Sequence, residues 1–215
     1  PMRRPTPFQV AVHIAALTPL VALVGAALTD NLTVNPIQEA TFRTGKTAMA
    51  LLVASLACTP TYTVFGFRPA LQVRRALGLY AFFYALLHFA IFFGLDYGLD
   101  VNLVLLELAE KRYILVGAAA LLLLTPLALT STKGWQRRLG KGWKRLHRLV
   151  YPAGVLVIFH YIWVQKSDIR EPLIWGSILG LLLVLRLPPV RRWVVGRRTR
   201  LAVAFDRLRQ RPHAG

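Results

Sequence analysis

The sequence predicts an all-α polytopic membrane protein, a bundle of six transmembrane helices with both termini in the cytoplasm. Three observations carry this reading. Of the 215 residues 55% are hydrophobic, and the mean hydropathy of +0.49 leaves little polar surface for a soluble domain. Apolar runs near 20 residues recur, the length of helix that crosses about 30 Å of hydrocarbon. The charges are segregated, with Lys and Arg concentrated in alternate connections between those runs. Spanning segments must satisfy their own backbone, which makes helices the default, and the alternating pattern of a membrane barrel is absent.

The spans are expected at Phe8–Leu28, Gly45–Val64, Ala76–Leu95, Tyr113–Thr130, Leu149–Val164 and Pro172–Leu187, the last two being short. The first run reads as a retained span and not a cleaved leader. One side of the bundle collects Arg3, Arg4, Arg68, Arg74, Arg75, the cluster Lys133–Arg148 and the tail from Arg186 to Arg211, with Asp206 as its one acid, while the other side has only Arg43, Lys46, Lys111, Arg112, Lys166 and Arg170 as bases. The other side holds Asp30, Glu39, Asp96, Asp100, Glu107, Glu110, Asp168 and Glu171. The positive-inside rule then places both termini in the cytoplasm, which an even number of spans satisfies. Between Asp96 and Lys111, the residues Val101, Leu103, Leu105, Leu106 and Leu108 indicate a short amphipathic helix on the membrane surface. The chain thus divides into a six-helix domain, 1–187, and a basic cytoplasmic tail, 188–215, read as an interfacial helix. No internal repeat stands out.

The net charge of +18 is compatible with nucleic acid. Because the charges lie between apolar spans, anionic membrane lipid is the expected partner and nucleic acid is not. The single cysteine, Cys58, excludes an intramolecular disulfide and a cysteine-based metal cluster. There is no glycine-rich dinucleotide fingerprint and no P-loop, so nothing marks a nucleotide-binding domain.

Histidines are the informative residues: His13, His88, His147, His160 and His213, the last lying in the tail. Ionisable residues inside a span are functional suspects, and an imidazole in a bundle is a natural axial ligand for haem iron. His88 precedes Asp96, and His160 precedes Asp168, by the same number of residues, which puts each about 12 Å of helix from the outer boundary. Two histidines at matching depth on different helices can clamp one haem; alternatively, each bonds a neighbouring backbone. His147 lies about 20 Å of helix before His160, off its face on an ideal helix, with Pro152 between them able to kink it. His13 lies in the inner half of the first span. With His147 it can form a second inner site, or it is a polar packing contact. Arg74 and Arg75 suit haem propionates or a flavin phosphate, or they only set topology.

Taken in order, several motifs carry a resemblance that covers nearly the whole chain. They are His13 with Pro19, Thr44-Gly45-Lys46, Thr59-Pro60, Arg74-Arg75-x-Leu-Gly-Leu79, Leu87-His88, Thr130-Ser131, Leu139-Gly140, Trp143-x-x-Leu-His147-x-Leu-Val-Tyr151 and His160-Tyr-x-Trp163. The chain resembles the MsrQ (YedZ) family, haem-binding membrane subunits of bacterial protein-methionine-sulfoxide reductase systems, within the ferric-reductase-like transmembrane group. The resemblance implies a multi-pass protein of the bacterial inner membrane. It would be the electron-delivering subunit of a two-component oxidoreductase, with no complete active site of its own. It further implies haem b, an association with FMN, and quinol or a cytoplasmic flavin reductase as donor, so that a quinone is a candidate ligand. The implied acceptor is the periplasmic molybdopterin subunit MsrP, which reduces methionine sulfoxide. His88, His147 and His160 match the family's haem-associated histidines. Related two-haem proteins carry another histidine about 13 residues before the counterpart of His88, where this chain has Arg75. The haem of His88 and His160 is therefore the primary expectation, and a second haem would need another partner for His147, such as His13. The rival readings are a stand-alone ferric or quinone reductase and a small proton-coupled transporter.

Overall fold

A computed structural model describes residues 4–165 and 168–209, with side chains as far as residue 200; among them it is helical throughout, with no strand. Helix α1, Pro7–Leu28, starts on a capping box: Thr6 Oγ1 accepts from Gln9 N at 3.3 Å, and Thr6 N donates to Gln9 Oε1 at 2.9 Å. Helix α2, Pro36–Phe65, begins at Pro36 and not at Gly45, because Asn35 caps it and proline suits a first turn. Gly66 ends it at φ 73°, a left-handed conformation that glycine adopts without steric cost. Helix α3, Pro69–Ile91, runs on through a π turn, Phe92–Asp96.

Asp100 caps α4, Val101–Glu110, whose Val101, Leu103, Leu105 and Leu106 are exposed as an interfacial helix requires. There follow α5, Arg112–Leu129, and two short basic helices, α6, Lys133–Leu139, and α7, Lys141–Leu146. A single 3-10 turn, His147–Leu149, leads into α8, Val150–Val164; then come α9, Arg170–Val184, and α10, Pro188–Arg209. His213 lies outside the described residues.

Five of the helices are long and apolar enough to cross a membrane among the described residues. A sixth crossing exists only if α9 and residues 188–200, bent by 76°, count as one broken span. The bend falls at Pro188-Pro189, which cannot donate backbone hydrogen bonds to the preceding turn. The described helices thus allow five or six spans where six plain ones were expected.

The centre is a pair of helical hairpins, α2 with α3 and α5 with α8, packed on Met49, Leu52, Leu56, Ala81, Leu124, Leu127, Ala153 and Ile158. Ala81 and Ala153 are almost fully buried, small residues that let the backbones approach where lipid gives no hydrophobic drive. Helix α1 lies outside and exposes Ile14, Val21 and Leu28, a lipid-facing pattern. It is pinned by Tyr84 of α3, whose hydroxyl accepts from Leu20 N at 3.0 Å and donates to Ala16 O at 2.8 Å. Phe8 of α1 meets Phe67 of the α2–α3 turn edge-on at 5.4 Å, so the start of α1 and the end of α2 share one end of the bundle. Helix α10 docks at that same basic end: Arg198 Nη1 donates to Tyr62 O and Thr63 O, 2.9 and 3.2 Å away, satisfying carbonyls at the C-terminus of α2.

Candidate functional site

His88 on α3 and His160 on α8 meet in the half of the bundle opposite the basic end. Their ring centroids are 6.2 Å apart and their planes are nearly perpendicular, at 83°. Each ring is held by a backbone carbonyl of the partner helix in its own hairpin. His88 Nδ1 donates to Thr41 O of α2 at 2.9 Å, and His160 Nδ1 donates to Tyr113 O of α5 at 2.7 Å. A neutral imidazole that donates through Nδ1 keeps its lone pair on Nε2, the nitrogen left for a metal. Glycines give the rings room. A Cβ at Gly45 would stand 3.0 Å from the His88 ring, and one at Gly117 would stand 2.8 Å from the His160 ring.

The two halves of the site repeat each other. The histidine and its carbonyl partner are 47 residues apart in both hairpins, and in both the glycine follows the carbonyl residue by one helical turn. The hairpins are thus equivalent units although few of their residues match. Nothing in the hydropathy marks this repeat; the recurrence of glycine and histidine at one fixed spacing is the signal that carries it.

Both rings line a cavity of about 390 Å³ enclosed by α2, α3, α5 and α8, within the roughly 300–1,000 Å³ typical of cofactor pockets. Two metal–nitrogen bonds of about 2.0 Å, with a further ~1 Å from each nitrogen to its ring centre, put two imidazoles on one metal roughly 6 Å apart, as found. Among the described residues no group of three or more His, Cys, Asp or Glu is arranged to hold a bare ion. Two imidazoles facing across a largely apolar slot therefore fit a group that brings its own equatorial donors, as haem does. At the mouth, Lys111 bonds Glu107, holding the carboxyl below and the ammonium above their usual ranges, and burial pushes the Tyr97 phenol up.

The remaining sequence candidates lie elsewhere. His147 Nε2 donates to Thr130 Oγ1 at 3.1 Å, since that hydroxyl spends its own proton on Pro126 O at 2.6 Å. Trp143 stacks on the His147 ring at 3.9 Å. His13 is exposed, with Nδ1 3.0 Å from Tyr80 Oη of α3, so His13 and His147 have separate partners. Arg74 Nη1 donates to Thr59 Oγ1 at 3.1 Å, and Arg75 is exposed. Both arginines sit about 20 Å of helix from His88 and neither lines the cavity. The cations on the wall are instead Lys46, of the Thr44-Gly45-Lys46 motif, and Lys111, neither of them expected as a cofactor ligand.

Residues 44–158 of this helical bundle match the family described as the ferric reductase like transmembrane component, which puts the chain in the ferric-reductase-like class. A protein of Rhodospirillum rubrum named "Protein-methionine-sulfoxide reductase heme-binding subunit MsrQ" is 48% identical over 88% of this chain and 92% of its own length. The protein of the same name from Xanthomonas axonopodis pv. citri is 45% identical over 80% of this chain and 82% of its own. In Xanthomonas campestris pv. campestris the figures are 44%, 81% and 83%. The chain belongs to the MsrQ family.

Proposed function

We propose that this protein is the transmembrane electron-transfer subunit of a methionine-sulfoxide reductase system, binding one b-type haem between His88 and His160. The observation that carries this is the pair of Nδ1-anchored imidazoles, 6.2 Å apart across the cavity, in a chain of the MsrQ family. Bound there, haem supplies one-electron chemistry. The protein's part is to hold the iron through two Nε2 atoms, fix both tautomers by backbone bonds, and enclose the ring in an apolar slot. Electrons enter on the basic, cytoplasmic side from quinol or a flavin reductase, with FMN as the associated flavin. They leave to a periplasmic molybdopterin partner, MsrP, which performs the reduction of methionine sulfoxide. Residues 1–187 hold the ferric-reductase-like domain, and the chain crosses the inner membrane six times with both termini inside, the sixth crossing being completed where α9 bends into the basic tail, 188–215.

Purified protein is expected to show a dithionite-reducible Soret and α-band spectrum and the pyridine haemochrome of haem b. His88→Ala and His160→Ala are each expected to lose most of the haem; full retention in either variant refutes the ligand assignment. Electron delivery that needs no periplasmic partner would favour the stand-alone reductase instead.

A further inference from the structure

The equivalence of the two hairpins breaks at one place on the cavity wall. Lys46 follows Gly45 on α2, and the corresponding residue after Gly117 on α5 is Ala118. Tyr161 follows His160 on α8, and the corresponding residue after His88 on α3 is Phe89. All four line the cavity. One side therefore carries an ammonium and a phenol where the other carries a methyl and a phenyl group. A symmetric slot would suit a symmetric ligand; at these paired positions the slot is polar on one side and apolar on the other.

Both polar groups have unused hydrogen-bond donors. Tyr161 is only 8% exposed, and its hydroxyl lies beside Lys46 and Glu171 without a well-formed hydrogen bond to any of the described residues. A buried hydroxyl left so is destabilising, and for packing alone phenylalanine would serve. Lys46 Nζ donates to Glu171 Oε2 of α9 at 2.7 Å and lies 5.9 Å from the Tyr161 ring centre. An ammonium has three N–H donors, so Lys46 can hold Glu171 and a second carboxylate together. Lys111, the other cation on the wall, is tied to Glu107 beside the opposite hairpin. Deeper in, the wall is Leu52, Ala81 and Leu124, where a carboxylate would be costly to bury.

We infer that Lys46 and Tyr161 anchor the carboxylate edge of the porphyrin, so that the ring stands with its propionates toward the α2–α8–α9 corner and its apolar edge against Leu52, Ala81 and Leu124. This rests on the haem reading of the cavity. It also gives Glu171 a role, since its ion pair holds Lys46 at the corner and ties α9 to the site.

The test compares two porphyrins in the purified full-length protein: iron protoporphyrin IX and its dimethyl ester, which lacks the carboxylate charges. Loss of each to excess apomyoglobin is followed by absorbance for the unsubstituted protein, Tyr161→Phe and Lys46→Met. Each substitution is expected to speed loss of the natural haem about tenfold, the effect of one charge-assisted hydrogen bond, and to leave loss of the ester unchanged. Equal acceleration for both porphyrins would make the two residues mere packing, and no acceleration would remove them from the site; either result overturns the inference while the His88–His160 ligation stands. An unsubstituted protein that takes up neither porphyrin refutes the haem reading and this inference with it.

Discussion

At Gly117 the addition of one methyl group decides whether the His160 ring can stay where it is. The Cβ would lie 2.8 Å from both Nδ1 and Cε1, closer than side-chain atoms approach, and the ring is not free to swing because Nδ1 is bonded to Tyr113 O at 2.7 Å. The Gly117→Ala variant is therefore expected to break that bond and turn the imidazole. The haem α-band should shift and haem content fall, while far-ultraviolet circular dichroism stays that of the unsubstituted protein. At Gly45 the contact with His88 is 3.0 Å, so Gly45→Ala should do the same to a smaller degree. Unchanged spectra in both variants would show that the glycines do not shape the ligands. The two histidines were legible as a candidate pair from their matched depth together with the family motifs, because distances from the charged boundary are local properties of the chain. Their carbonyl partners were not, since a carbonyl belongs to every residue and only the fold selects Thr41 and Tyr113.

Between elements, the attachments come from single polar side chains. Tyr84 is the peg of α1: its hydroxyl stands between Leu20 N and Ala16 O, groups that otherwise bond each other along the helix, next to Pro19, which has no N–H to give. Tyr80, one turn earlier on α3, meets His13 edge-on at 5.6 Å, so two tyrosines on one face of α3 hold α1. In Tyr84→Phe the ring still packs, but the hydroxyl that links the two helices is lost, at a cost of about 0.5–1.5 kcal/mol. The expected result is a lower thermal midpoint with faster hydrogen exchange at the Leu20 amide, and with the haem spectrum retained. Haem loss in this variant would instead place α1 within the support of the site. His13 and Pro19 stood out in the sequence, whereas Tyr84 did not, because a tyrosine in an apolar run looks like packing until the helix it touches is known. The same holds for Arg198, one arginine among many in the tail, which among the described side chains is the one that bonds the end of α2.

For the molecule as a whole, hydropathy and charge carried most of the architecture, since a span's length and its flanking charges are local properties of the chain. The bend between α9 and α10, the early start of α2 and the corner formed by Lys46, Tyr161 and Glu171 depend on which helices become neighbours, and composition does not encode that. Orientation is a property of the whole molecule. The start of α1, the α2–α3 turn and α10 lie together at one end through Phe8–Phe67 and the bonds of Arg198. The α6–α7 connection adds Arg137, Arg138, Lys141, Lys144 and Arg145 to the alternating pattern of basic loops. The opposite end carries the acids around Asp96–Glu110. Cationic loops are retained in the cytoplasm, and acidic residues contribute little to the choice. Alkaline phosphatase, active only outside the cytoplasm, should therefore be active when fused after Gly98 and inactive when fused after Gly140 or Gly196. The pattern at Gly196 also decides how often the chain crosses. Activity there, with the other two fusions as expected, would mean that α9 fails to return through the bilayer, leaving five crossings, with α10 and its arginines outside. Inactivity requires the bent α9–α10 pair to complete the sixth.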